Sequence, residues 1–334
     1  MTAALPTAQA TVTLEPTGDP VRWAAAAQAS GQPMTPFSNH GFLGLASGMT
    51  GTEFEPLVVR ADGVDVGIAP WLARRRGPVT TVNAVPFPYT GPLVPAHLMA
   101  GTLVALRRRG RRERAVRQDF GLAPTTVVDA VDLTGTGFQA RLDHTYLVDT
   151  SRTEEELYGA LTAPARTSLR RIERDGVAVV PSGHDGQTLG RVVDAAGTAR
   201  GLDSGYGAGF PPPVGALEAT GLGVHWTVAK RDDVELGSLL SISSGEVVVL
   251  WQGGLLPEHR ATRANVLLYW DAVLWAHRHG ARTVDLAGVP DAGVARFKSQ
   301  FGGTLYSYPR LQWAAPGLRP VAGVARTVVT TLRR

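Results

Sequence analysis

Between Ser151 and Gly303 the apolar residues repeatedly change period, from the three-and-four spacing of a helix to the alternation of a strand. The order reads helix, helix, strand, helix, two joined strands, long helix, strand. Such an order belongs to a mixed sheet flanked by helices, an α/β (α+β) architecture. Ser151 or Thr153 supplies a cap, Glu154 to Glu156 fill a first turn, and Leu157 and Leu161 follow at spacing four. Ala165 to Asp175 continues as a basic helix stopped by Gly176. Val177 to Pro181 reads as a strand and Leu189 to Arg200 as a helix. Leu236 to Ser243 and Glu246 to Gln252 read as strands joined at Ser244-Gly245. Arg263 to His279 is the strongest helix and is closed by Gly280. Val284 to Leu286 is a short strand, and Gly288 to Gly303 a loop with a helical turn.

The preceding half is built differently in detail but from the same parts. Its elements are a short alternating run from Thr11, a helix over Pro20 to Ser30 and a Pro/Gly-rich stretch. A hairpin over Val58 to Ala73 turns at Ala61-Asp-Gly63. Thr80 to Val94 is a strand and loop, Leu98 to Gly110 an amphipathic segment, and Val127 to Leu133 and Thr145 to Asp149 are strand candidates. A length of 334 residues suits two domains of roughly 150 each. The expected division is 10–148, 149–304 and a tail, 305–334, that packs back on the first domain, with a helix over Leu318 to Arg334. No repeat is visible between the halves.

Several chemistries drop out at once. The chain has 0 cysteines, which excludes disulfides, thiol catalysis and thiolate metal sites. It has no Gly-x-Ser-x-Gly nucleophile elbow. His277 and His279, the close histidine pair, stand at i,i+2 on a helix and diverge by about 200°, so no metal is expected there. Gly205-Tyr-Gly-Ala-Gly209 lacks the strand before and helix after that a phosphate cradle needs, and is a loop whose Tyr206 and Phe210 can cover a ligand. Met1 to Val12 has no basic flank and apolar core of a secretory signal, and no stretch reaches the ~20 apolar residues of a membrane span. A cytoplasmic protein is the expectation.

The cations are unevenly chosen. Of 33 Lys+Arg only Lys230 and Lys298 are lysine. Arg107, Arg108, Arg109, Arg111, Arg112, Arg114 and Arg117 form one cluster, and Arg166, Arg170 and Arg174 recur every four residues as one helix face. Either set suits phosphates or plain solvent. Lys298 stands apart, set between Phe297 and the Gly302-Gly303 turn. Its compact ammonium can neutralise a developing oxyanion or lose its proton when desolvated.

The run from Asn265, with Tyr269-Trp270-Asp271-Ala272, Asp285-Leu-Ala-Gly288 and Phe297-Lys298 before Phe301-Gly-Gly303, resembles the C-terminal signature of Fem-type (FemABX-like) aminoacyltransferases. Pro88-Tyr89-Thr-Gly91-Pro92, the Arg166 to Val177 helix-to-strand junction and Trp251-Gln-Gly253-Gly254 agree in order. The resemblance implies two tandem acetyltransferase-like (GNAT) domains. It also implies transfer of an amino acid from aminoacyl-tRNA to an amine, often on a peptidoglycan precursor, without metal or cofactor. It makes Lys298 the catalytic cation with Phe297 beside it, and Arg200, Tyr206, Trp251 and Tyr89 substrate-binding residues. Arg166, Arg170 and Arg174 would face tRNA, the partners being aminoacyl-tRNA and a small peptide or cell-wall precursor, and a monomer is expected. Trp251 stands where the family pattern has tyrosine, and Phe37-Ser-Asn39-His40 departs from the usual basic acceptor contact. Asp271 and Asp285 are candidate bases, each equally accounted for as a structural carboxylate. The rival readings are an acyl-CoA-dependent GNAT N-acyltransferase and a non-catalytic RNA-binding protein.

Overall fold

The computed structural model describes residues 11–127, 133–182, 186–199, 201 and 205–316. The first half runs β1 (Val12–Pro16), α1 (Pro20–Ala29), α2 (His40–Thr50), β2 (Glu53–Ala61), β3 (Val64–Arg76), β4 (Val79–Val82), α3 (Met99–Arg112), β5 (Ala115–Gly121) and β6 (Gln139–Asp149). The second begins with α4 (Glu154–Ala160) and α5 (Ala163–Arg174). It continues through β7 (Val177–Pro181), α6 (Gln187–Ala199), α7 (Val214–Glu218), β8 (Gly223–Arg231), β9 (Val234–Ser244) and β10 (Val247–Leu255). It ends with α8 (Asn265–Arg278), β11 (Thr283–Gly288), α9 (Ala292–Lys298) and β12 (Thr304–Ala314).

The halves are one series written twice. Among the described residues 12 strands join in the order β1-β2-β3-β4-β5-β12-β6-β11-β10-β9-β8-β7. In each half three antiparallel pairings lead to one parallel pair, β4 with β5 and β10 with β11. The sixth strand of each half is then exchanged: β6 pairs with β11 of the second half, and β12 pairs with β5 of the first. The two exchanged strands pair antiparallel with each other over Thr304 to Gln312 and so make the sheet continuous. The residues expected as a tail thus enter the middle of the sheet as β12, and the helix expected over 318–334 lies outside the described residues.

The repeat is legible in one stretch, against the expectation of none. Val58-Val-Arg-Ala-Asp62-Gly-Val-Asp-Val-Gly67 and Val228-Ala-Lys-Arg-Asp232-Asp-Val-Glu-Leu-Gly237 occupy the same hairpin in the two halves. Each has a bulge just before its cation, at Val59/Arg60 and Ala229/Lys230. Asp62 and Asp232 both turn with positive φ, 50° and 55°. Each cation meets an acid across the turn, Arg60 with Asp65 at 3.1 Å and Lys230 with Glu235 at 3.0 Å. Gly67 and Gly237 leave no room for a Cβ, which would lie 2.1 Å from the Leu93 carbonyl oxygen and 2.2 Å from that of Gly254. Only four of the ten positions are identical, which is why the spacing of 170 residues escapes a reading by eye.

Alternation along the strands divides the core. On one face α1 and α2 meet α6 and α7 over a single cluster that includes Phe42, Ile68, Leu189, Leu217, Ile242 and Trp251. On the other, α3 covers Leu57, Trp71 and Phe120, while α5 and α8 cover Leu239, Val248 and Val284. Within the arginine cluster, Arg109 is spent locally while Arg108, Arg112 and Arg114 are exposed. Arg109 pairs with Glu55 and Glu113 and its guanidinium stands 5.0 Å from the Trp71 ring. Residues expected to be featureless between Ser30 and Val58 contain α2, and β5, β8 and β12 were absent from the expected strands.

Candidate active site

Lys298 closes α9, whose start is capped by Asp291 accepting from Val294 N at 2.9 Å. Its side chain is buried, and Nζ donates to the carbonyls of Ala287 at 3.0 Å and Gly288 at 2.8 Å, at the end of β11. Phe297 packs edge-on against Tyr269 of α8 at 4.9 Å and against Phe301 at 5.4 Å. Burial pushes the Tyr269 phenol up to about 12. The following glycine is required by both its backbone and its neighbours. Gly302 has φ +71°, and a Cβ there would lie 2.7 Å from Ala160 Cβ on α4.

Two residues before Ala287, Asp285 is 2% exposed. It accepts from Tyr89 O–H at 2.6 Å and from Ala287 N–H at 2.7 Å, and Thr145 Oγ1 is a third partner. Burial raises its pKa above the usual carboxylate range, opposed by these donors and by the field of Lys298. Tyr89 is likewise raised, by burial and by the Asp285 charge, and it packs edge-on against Tyr308 of β12 at 5.1 Å. Tyr89 arrives from the first half on a fixed loop. Asn83, at φ 51° and fully buried, accepts from Leu72 N at 2.7 Å and donates to the carbonyls of Pro70 and Thr90 at 2.9 and 2.7 Å. Gly91 N donates to the Gly121 carbonyl at 2.8 Å, so the loop from Asn83 to Gly91 is held at both ends.

A second group lies on the face shared by the two halves. Tyr206 stacks on Phe210 at 4.0 Å, and its hydroxyl accepts from Trp251 Nε1 at 3.1 Å and Gln252 Nε2 at 2.9 Å. Trp251 is edge-on to Phe42 and tilted against Phe87. The structure therefore joins Tyr206 to Trp251, and Tyr89 to the neighbourhood of Lys298. Arg200 lies outside the described residues.

The arginine face of α5 divides by contact. Arg166 donates to the carbonyls of Gly159 and Leu161 and so ties down the end of α4, while Arg170 and Arg174 are exposed. The neighbouring Arg171 instead lines a cleft of about 460 Å³ with Thr167, Ser168, Thr262 and Arg263, between α5 and the turn before α8. Asp271 is taken up by His225 Nε2 at 2.7 Å, beside the stacked Trp275 ring. Thr145, Tyr308, Arg171 and Arg263 were not singled out from sequence. Thr145 and Tyr308 belong to the exchanged strands, whose partners no local pattern reveals. Among the described residues no group of three or more His, Asp or Glu gathers as for a metal, and no helix is long and apolar enough to cross a membrane.

Residues 165–299 match the family model described as an acetyltransferase (GNAT) domain. No curated protein matches the chain in sequence. Its fold is similar to the crystal structure of FemX, at 16% identity and TM-score 0.65 over 93% of this chain and 99% of that one. It is similar to a tandem GNAT protein from the clavulanic acid biosynthesis pathway, at 16% identity and TM-score 0.59 over 92% and 99%. It is also similar to the C-terminal domain of a putative lysylphosphatidylglycerol synthetase from Agrobacterium fabrum, at 14% identity and TM-score 0.57 over 94% and 98%. The chain as a whole therefore has the tandem GNAT fold, and its matched acetyltransferase domain ends at Ser299, one residue beyond Lys298.

Proposed function

We propose that the protein moves an amino acid from aminoacyl-tRNA to an amine acceptor, a peptidoglycan precursor or a peptide under assembly, and so forms a peptide bond. The observation that carries this reading is Lys298, a buried ammonium seated on two carbonyls within the Phe297 to Gly303 segment. The fold likeness to FemX over 93% of the chain supports it. In this reading 10–148 and 149–304 are the two domains, 305–334 is the returning tail, and the reaction takes place in the cytoplasm, where charged tRNA is found.

The acceptor's free amine attacks the ester carbonyl carbon, the C–O bond to the ribose breaks, and the ribose oxygen takes up the proton that the amine gives up as it becomes an amide. Ester aminolysis is downhill, so the protein mainly orients two substrates and stabilises the tetrahedral oxyanion, and no cofactor is called for. Lys298 supplies the positive charge to that oxygen, and Phe297 fixes the end of α9 against Tyr269. Tyr206, Trp251 and Tyr89, with Arg200, form the acceptor side. On the donor side Arg171 and Arg263 with three hydroxyls offer charge-assisted hydrogen bonds to phosphate, alongside the exposed Arg170 and Arg174. Arg166, held by backbone carbonyls, contributes to the shape of that surface rather than its charge.

The acetyltransferase match favours a second reading, an acyl-CoA donor. Enzymes of that kind grip pyrophosphate with backbone N–H groups ahead of a helix. Here that turn is Arg260-Ala-Thr-Arg263-Ala264, and the N–H groups of Arg263, Ala264 and Val266 are bonded to the Arg260 carbonyl, Thr262 Oγ1 and the Arg263 carbonyl. The test presents purified protein with pooled charged tRNA and a panel of amines, read by mass spectrometry with and without RNase. An RNase-sensitive gain of one residue is expected, and Lys298→Ala should lower turnover about 10²–10³-fold in a variant that still folds and unfolds cooperatively. A near-wild-type rate in that variant refutes the role of Lys298, and RNase-insensitive acyl-CoA transfer establishes the second reading. RNA binding that weakens with salt and yields no product would instead mark a non-catalytic protein.

A further inference from the structure

The strand that seats Lys298 is irregular just where it does so. The ladder between β11 and β6 breaks between Asp285 and Gly288, and Ala287 takes φ +61°. For a residue with a side chain that conformation costs about 1–2 kcal/mol, so something must hold it. Asp285 does. Its Oδ1 accepts from the N–H of Ala287, and Thr145 Oγ1 lies within hydrogen-bond distance of both that carboxylate and the Ala287 carbonyl, its one proton serving either. The distorted backbone then turns the carbonyls of Ala287 and Gly288 onto the ammonium.

The other half provides the control. Asp119 occupies in β5 the place of Asp285 in β11: each follows the residue paired with a fourth-strand valine, Val82 with Gln118 and Val248 with Val284. Both carboxylates are 2% exposed. Asp119 is saturated by Arg310 Nε at 2.6 Å, Arg117 at 2.6 Å and Gln312 at 2.9 Å. Beyond the carboxylate its strand runs on regularly, Phe120 against Leu311 and Gly121 against Arg310, and its register shift against β4 lies earlier, opposite Thr80 and Thr81. The duplicated carboxylate therefore bends the strand only in the half where its donors are hydroxyls and a backbone amide, and where a lysine follows.

We infer that Asp285 is the positioning residue of the site: it holds the left-handed bulge at Ala287 that seats the Lys298 ammonium, and Tyr89 of the first half holds Asp285. Its catalytic consequence rests on the role proposed for Lys298, but the coupling itself can be read without turnover. Because Lys230 and Lys298 are the chain's two lysines, protein carrying ¹³C,¹⁵N-lysine gives two side-chain ammonium signals, with Lys230 as internal reference. In Asp285→Asn the Lys298 signal should shift and its titration midpoint should move to lower pH, since a nearby negative charge favours the ammonium. The Lys230 signal should stay. Thr145→Val, which keeps the carboxylate but removes one of its partners, should move the same signal less, and serves alone if Asp285→Asn fails to fold. A Lys298 signal that coincides with wild type in both folded variants, or in folded Thr145→Val where Asp285→Asn does not fold, overturns the inference. If the signal moves but Lys298→Ala turns over normally, the coupling stands and the proposed reaction role falls.

Discussion

Replacing Tyr89 with Phe removes a single oxygen from the contact that joins the two halves beside Lys298. The hydroxyl lies 2.6 Å from Asp285 Oδ2, and the two residues are 4% and 2% exposed, so water has no route to replace it. A hydrogen bond to a charged group contributes about 1.5–3 kcal/mol, against about 1 kcal/mol when both partners are neutral. The loss should therefore depend on pH. Asp285 titrates above its unfolded value in the folded chain, so its contribution to stability is fully present below 3.8 and is lost as pH rises through the folded value. Removing a donor to the carboxylate raises the folded value further, and the deficit of the variant grows as pH rises. At about 2.1 cal/mol/K of unfolding entropy per residue, a 2 kcal/mol loss in a chain of this length lowers Tm by about 3 °C. Scanning calorimetry of wild type and Tyr89→Phe at acid and mildly alkaline pH would show it. A double-mutant cycle with Asp285→Asn should return a coupling of about 1 kcal/mol or more at the higher pH. Equal Tm values at both pH values would refute the assignment of this contact as a buried carboxylate bond.

His40 titrates below its usual value because burial disfavours the imidazolium, with Asp19 opposing. Its contribution is present above the unfolded value of 6.5 and is lost as pH falls, so His40→Leu should flatten the fall in Tm between about pH 7.5 and 5.5; an unchanged slope refutes this. Gly302→Ala combines a left-handed backbone with a Cβ pressed on Ala160, and should cost about 2–4 kcal/mol in urea unfolding. A loss under 1 kcal/mol would show that the turn after Lys298 can relax.

What could be read from the residues was whatever local period and local chemistry determine. The cap at Thr153, the stop at Gly280 and the hairpins at Asp62-Gly63 and Ser244-Gly245 act within a few residues, and each element around them formed as expected. Helix α2 was missed because Gly41, Gly44 and Gly48 read as a breaker-rich stretch, yet its buried Phe42, Leu43 and Ala46 anchor it in the shared core. Lys298 stood out by rarity and by the Gly-Gly turn that its surroundings do require. Thr145, Tyr308 and the controlling position of Asp285 did not, because they meet only through strand exchange between residues 140 or more apart. Arg166 was grouped with Arg170 and Arg174 on spacing alone, which cannot distinguish a guanidinium in solvent from one closing a helix end.

That exchange also decides what the smallest functional piece can be. The matched domain, residues 165–299, holds Lys298, Asp285 and Ala287, but not Thr145, Tyr89 or Tyr308. Even the wider piece 149–304 lacks all but the last residue of β6, so the backbone groups of Val284, Asp285 and Gly288 lose their ladder partners. On the shared face the same cut strips Phe37, Phe42 and Phe87 from Trp251 and uncovers the cluster it shares with Leu240 and Ile242. Each large side chain left bare forfeits up to about 1.5–3 kcal/mol of burial. Those losses together are comparable with the whole stability of an ordinary domain, about 5–15 kcal/mol. Residues 149–304 expressed alone should therefore aggregate or remain without a cooperative unfolding transition, whereas 11–316 should unfold cooperatively. A soluble 149–304 monomer with a sharp transition would show that the second half is complete in itself. The dependence of Asp285 on Tyr89 and Thr145 would then lose its structural basis, because the carboxylate would have to be held by groups of its own half.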